Sequence, residues 1–144
     1  MIEGQLDQTF AILRTISEER SLHRWAPGKW SVKENLNHLA DAERVMAYRL
    51  LHIARGDPSP LPSFEQDDYV RAANADAIPW QDLVSEFAAV RRATILMLRP
   101  MAPEALATVG TCGGSPTSAR ALAWVVAGHL IHHMRMFKEK YAVV

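Results

Sequence analysis

Cysteine is nearly absent: Cys112 is the only one among 144 residues, so no disulfide can form within the chain and nothing in its thiol content points to an oxidising compartment. A cytoplasmic setting is expected. An excess of either charge is absent too, because 16 Lys and Arg offset 16 Asp and Glu. The field that would draw nucleic acid or an anionic membrane surface is therefore missing, and neither is expected as a partner. Long apolar runs are also lacking. The most apolar stretch, residues 119–136, is broken by Arg120, Arg135 and three histidines, and charges from Glu3 to Arg20 interrupt the start of the chain. Neither a membrane span nor an export signal is expected.

Alternating or β-branched runs long enough for strands are missing, as are repeats and low-complexity tracts. Two catalytic motifs drop out as well. Gly113-Gly114-Ser115-Pro116 has neither the length nor the lysine of a phosphate-binding loop, and Leu130 follows His129 where a zincin HExxH would place its glutamate. What remains is helical periodicity in a chain that is 49% hydrophobic, which suits a single domain over 1–144 with one core. All-α is the expected class.

Four main helices follow from the periodicity and its punctuation. The first covers about 3–20, with Leu6, Phe10, Leu13 and Ile16 on one stripe. After Pro27-Gly28, Ser31 and Glu34 form a capping box that starts the second helix near Val32. That helix runs to about residue 54, with Leu39, Ala42, Val45, Met46, Leu50 and Ile53 inward, and stops before Gly56-Asp57-Pro58. Pro58, Pro60 and Pro62 make an extended connector, and Ser63 with Gln66 offers a cap for a short helix to about 72. So long a link suits a crossover that lets the third helix, 80–98, lie parallel to the second. Its stripe is Leu83, Phe87, Val90, Thr94 and Met97 or Leu98. A turn-rich stretch leads to Thr117 as the cap of the fourth helix, 118–140, whose inward positions are Leu122, Val126, His129, His133 and Met136 or Phe137. Trp25, Trp30, Trp80 and Trp124 are expected in the core or at helix ends, with Trp30 near enough to the second helix to border a cavity.

Two histidines thus occupy places where aliphatic side chains normally sit. A buried neutral imidazole brings a donor and an acceptor that both need partners. Lying four apart, His129 and His133 project from one helical face about 6 Å from each other, close enough to share an ion. His38, in line with Ala42 and Val45 on the second helix, is the best candidate for a third ligand. Two readings stay open on spacing alone: a metal centre, or histidines bonded to backbone and water. His132, three from His129, competes with His133. His23 and His52 read as solvated. Cys112 could serve as a nucleophile or further ligand but reads as incidental in its glycine-rich loop, and Asp41, Glu43, Asp67 and Asp68 are candidate acid/base or ligand-supporting groups.

The run Trp30-Ser31 through His38-Leu39-Ala40-Asp41-Ala42-Glu43, followed by Gly128-His129 to His133, resembles the DinB/YfiT-like metalloenzymes over nearly the whole chain. Leu61-Pro62-Ser63-Phe64-Glu65-Gln66-Asp67-Asp68-Tyr69 and Phe87-Ala88-Ala89-Val90-Arg91 look similar to the same family. The resemblance implies a four-helix bundle with a long crossover between helices 2 and 3, a homodimer, and a divalent metal held by His38, His129 and His133. It also implies metal chemistry on a small-molecule substrate, as a hydrolase or as a transferase using a low-molecular-weight thiol such as mycothiol or bacillithiol. Zn, Ni and Fe all accept imidazole. The rival expectation is a non-catalytic dimeric bundle in which metal or histidines are structural.

Overall fold

A computed structural model of the chain describes residues 2–144, with side chains from Asp7 onward. The inward placement expected for Leu6 lies outside the described residues. Four long helices dominate: α1 (Ile2–Leu13), α3 (Val32–Ala54), α5 (Trp80–Leu98) and α7 (Ala119–Glu139). Shorter pieces join them, namely α2 (Glu18–Ser21), α4 (Gln66–Ala73), a 3-10 turn (Ala75–Ala77), α6 (Pro103–Ala107), and the strands β1 (Val109–Cys112) and β2 (Ser115–Ser118). α3 is the central element, packed against both α5 and α7, while α1 packs on α5. Residues 55–79 form the long crossover from α3 to α5. Among the described residues no helix is long and apolar enough to cross a membrane.

The local signals act as the chemistry of helix ends requires. Ser31 accepts from the Glu34 amide at 3.0 Å while the Glu34 carboxylate accepts from the Ser31 amide at 2.8 Å, so the capping box starts α3 at Val32. The first helix is shorter than its stripe suggests. It ends at Leu13 because the Thr15 and Ile16 amides tighten to i−3 carbonyls and the Thr15 hydroxyl donates to Ile12 O at 2.7 Å; Ser17 then caps the separate α2. Two expected caps shift by a residue or more. Ser118, rather than Thr117, accepts from the Ala121 amide at the start of α7, and α4 begins after Glu65 with no side-chain cap from Ser63.

The strands correct the expectation that none would form. Gly113 and Gly114, at φ +56° and +80°, make the tight reversal that pairs Val109 with Ser118 through Cys112 with Ser115. Gly110 is required for a different reason: a Cβ there would stand 2.6 Å from Ile53 Cγ1. The crossover is fastened to this hairpin, since the Leu61 amide donates to Thr111 O and the Gly113 amide to Leu61 O, both at 2.9 Å.

Two apolar clusters make the core. The larger joins Phe10, Leu13, Leu36, Leu39, Trp80, Leu83, Phe87, Leu130 and Phe137, and the smaller joins Leu50, Ile53, Ala119 and Leu122. Each Leu, Ile or Phe among them contributes roughly 1.5–3 kcal/mol by leaving water. Between the clusters, by height along α3, α5 and α7, sits a polar layer that includes Glu43, Arg91, Thr94 and His129. Three other expectations change. His52 is not solvated: its side chain is 7% exposed and its Nε2 lies 2.8 Å from Ser59 O. Trp124 is 59% exposed on the outer face of α7, and Trp25 is exposed too, so of the four tryptophans only Trp80 belongs to the core.

Candidate metal centre

The fold brings three imidazoles from two helices to one point. His129 Nε2 lies 3.1 Å from His38 Nε2 and 3.1 Å from His133 Nε2, and the three ligand atoms all fall within 4.8 Å of one another. His132 is exposed and outside this group, its ring edge-on to that of His133 at 5.4 Å. His23 stays exposed near Tyr141, as expected. Cys112 packs on the smaller core cluster and does not join the imidazoles.

The orientation of the His133 ring is fixed from behind. Asn35, one turn before His38, donates through its amide nitrogen to Ser31 O and to the Tyr141 hydroxyl, both at 2.8 Å, so its carbonyl oxygen faces His133 Nδ1 at 3.1 Å. Tyr141 in turn donates to Trp30 O at 2.7 Å. An amide oxygen can only accept, so the His133 proton resides on Nδ1 and the Nε2 lone pair points to the centre. Trp30 covers His38 with ring centroids 4.9 Å apart. Asn35 escaped the sequence reading; its signal is its place between the capping box and His38, on the same face of α3.

Burial is the main cause of low basicity in all three rings; repulsion comes second, from His129 on His38 and on His133, and from His132 and Arg91 on His129. Together they push His38 down to about 4 and His133 down to about 2, and lower His129. All are neutral at pH 7. Neutral rings meeting through Nε2 cannot satisfy one another, because His133 offers only a lone pair there and a single proton on a neighbour cannot serve every nitrogen. A cation satisfies them together. The two nitrogen pairs that meet at His129 are each 3.1 Å apart, a spacing that two bonds of ~2.0–2.1 Å to one ion would span. The donor set therefore fits a divalent first-row ion.

A cleft of ≈ 350 Å³ opens onto His38 and His129, with His133 behind them. Its walls are mostly apolar, from Leu39, Met46, Val125 and Val126, and Phe64 of the crossover and Gly113 of the hairpin border it. Arg49, also in the lining, donates to Pro62 O at 2.7 Å and so holds the crossover at the cleft edge.

Of the four acidic candidates, Glu43 alone reaches this cleft. Its carboxylate meets Arg91 Nη2 at 2.8 Å, with both side chains buried; burial raises its pKa, against Arg91 and Thr94, which lower it. Asp41 pairs with Arg44 at 3.4 Å, Asp68 pairs with Arg71 on the surface, and Asp67 borders a separate shallow pocket beside Lys29 and Trp30. Arg91 was missed in favour of Val90, which is only half-buried. The spacing Leu83, Phe87, Arg91, Thr94 is the actual inward stripe of α5, and a guanidinium on such a stripe is the signal that could have been read.

Among curated proteins none matches this chain. Among solved structures it is similar to YfiT from Bacillus subtilis, described as a probable metal-dependent hydrolase with an unusual four-helix bundle topology. The two are 11% identical and superpose with a TM-score of 0.74 over 94% of this chain and 83% of that one. The family model of the DinB superfamily matches residues 1–137. With that match over nearly its whole length, and with the four long helices and crossover just described, the chain belongs to the DinB superfamily.

Proposed function

We propose that this protein is a divalent-metal-dependent enzyme acting on small molecules, with His38, His129 and His133 as the ligands. The observation that carries the reading is the convergence of three neutral Nε2 atoms at one end of a cleft. When bound, an ion such as Zn, Ni or Fe supplies a Lewis acid and lowers the pKa of a water or thiol it holds. The chain does the rest. Asn35 keeps the His133 proton on Nδ1, Trp30 shields His38 from water, and the apolar walls lower the local dielectric around the reacting groups.

Three protein ligands beside an open cleft favour catalysis over a purely structural role, since structural zinc sites are closed by four protein ligands. The description of YfiT supports hydrolysis. Transfer to a low-molecular-weight thiol uses the same parts, because an uncompensated dication attracts a thiolate as it does hydroxide. A homodimer is the assembly this reading carries, supported by the apolar Trp124 and Ile131 exposed on α7.

Elemental analysis of protein purified without a polyhistidine tag tests the proposal. The expected content is about one divalent ion per chain, lost in both His38→Ala and His129→Ala. Wild-type metal content in both variants would overturn the assignment. A panel of esters, amides and thiol-plus-electrophile pairs should then show turnover that a chelator abolishes, and none across the panel would leave the ion a structural one.

A further inference from the structure

Arg91 is 1% exposed, yet it lines the cleft that leads to the imidazoles. Its Nη2 meets Glu43 at 2.8 Å and Val126 O at 3.3 Å, while its buried Nε and Nη1 have no hydrogen-bond partner. A buried cation of this kind normally spends its donors on protein oxygens. Here a single carboxylate faces two guanidiniums, because Arg49 shares the lining. The three imidazoles are neutral. The cleft is thus positively charged before any ion enters, and a divalent ion adds to that charge.

We infer that the Arg91 guanidinium is a substrate-anchoring subsite for a carboxylate, so that the substrates of this protein are small organic acids with an apolar body. This rests on the metal-dependent reading for what happens at the other end of the cleft. Nη2, common to both forks of the guanidinium, is taken by Glu43 and Val126 O, so a carboxylate is matched by single N–H bonds from Nη1 or Nε and by the charge of the group. The apolar side chains beside it, with Phe64 at the crossover, accommodate a hydrocarbon or aromatic body. A volume of ≈ 350 Å³ is near the small end of ligand pockets, which excludes a macromolecular substrate from the interior. With its acid group held at Arg91, such a molecule extends toward His38 and His129, which line the same cleft.

The test compares benzoate with benzamide, a neutral molecule of nearly the same shape, by calorimetric or NMR titration of both metal-loaded and chelator-stripped protein. The stripped protein should bind benzoate about tenfold more tightly than benzamide. Equal affinities overturn the inference, and this comparison needs no variant. Removing Arg91 alone would strand the Glu43 carboxylate, so the informative variant is the paired Glu43→Gln/Arg91→Gln, with its fold checked by thermal melting. In it the preference for benzoate should vanish while benzamide binding is kept. If benzoate binds only the loaded protein and ignores the paired substitution, its carboxylate sits on the ion; the subsite is then wrong and the metal reading stands. If the stripped protein shows Arg91-dependent binding and elemental analysis finds no ion in protein as purified, the subsite stands and the metal reading falls.

Discussion

Among the described residues two cationic side chains are buried, and they are treated in opposite ways. Lys33, 2% exposed near the start of α3, reaches the Glu18 carboxylate, Ile78 O at 2.6 Å and Asp76 O at 3.3 Å, so its three protons are all engaged. Glu18 also accepts from the Trp80 amide at 2.7 Å, and Trp80 Nε1 donates to Leu13 O at 2.9 Å. This closed network ties α1, α2, α3 and the end of the crossover together. Arg91 is just as buried and leaves donors unused beside a cleft. Burial by itself therefore does not separate a structural charge from a functional one. The count of satisfied donors does, because an unfilled buried donor costs about 1–3 kcal/mol that the fold tolerates only where something else is gained.

The comparison can be broken by substitution. Arg91→Met should cost the most, about 3–5 kcal/mol in urea unfolding, because it leaves the Glu43 carboxylate alone in the interior. The paired Glu43→Gln/Arg91→Gln should lie within about 1.5 kcal/mol of the parent. If the single and paired variants were equally unstable, Arg91 would be as closed as Lys33. Lys33→Met should cost less than Arg91→Met, about 2 kcal/mol, because its partner Glu18 has a side chain 58% exposed and returns to water.

Acid sharpens the same contrast, since the titrating groups are imidazoles and a carboxylate held largely out of water. His38 and His133 have folded pKa values lowered from 6.5 to about 4 and about 2, and His129 is lowered too. The unfolded chain takes up these protons first, so their contribution is complete above about pH 6.5 and falls as pH drops toward 4. Metal-free protein should lose on the order of 1 kcal/mol per pH unit for each of His38 and His133 in that window. Glu43, whose pKa is raised by burial, works in the opposite sense and softens the loss. Unfolding midpoints measured at pH 7, 5.5 and 4.5 check this, and a flat profile would mean the rings are not buried neutral. Asn35→Ala should weaken metal retention about 10–100-fold in affinity, read by competition with a colorimetric chelator.

Helix ends governed by local chemistry were legible in the residues. Ser31 and Glu34 mark where α3 begins, Gly56 and Pro58 follow its end, and α5 and α7 begin and end within about two residues of expectation. The premature stop of α1 was not legible, because Phe10, Leu13 and Ile16 keep helical spacing through a break made by the Thr15 hydroxyl. Strands of four residues are too short for a period to show, and Pro116 argues against one. At the centre, the His129 and His133 pair could be read from spacing, but the choice of His38 needed the family likeness as well, since which helices face each other is a property of the whole fold. Arg91 and Asn35 were hidden for a related reason. Each looks like an ordinary surface residue until its partners, Glu43 and His133, arrive from elsewhere in the chain.

The fastening of the crossover has an evolutionary consequence. Leu61 is held by two backbone bonds to the hairpin and Pro62 by Arg49, so the rim that carries Phe64 is set by loops. The imidazoles, by contrast, stand on rigid rods. On the proposed reading, the rim of the cleft can change by rewriting a few loop residues without disturbing the imidazoles or Arg91, which stand on helices.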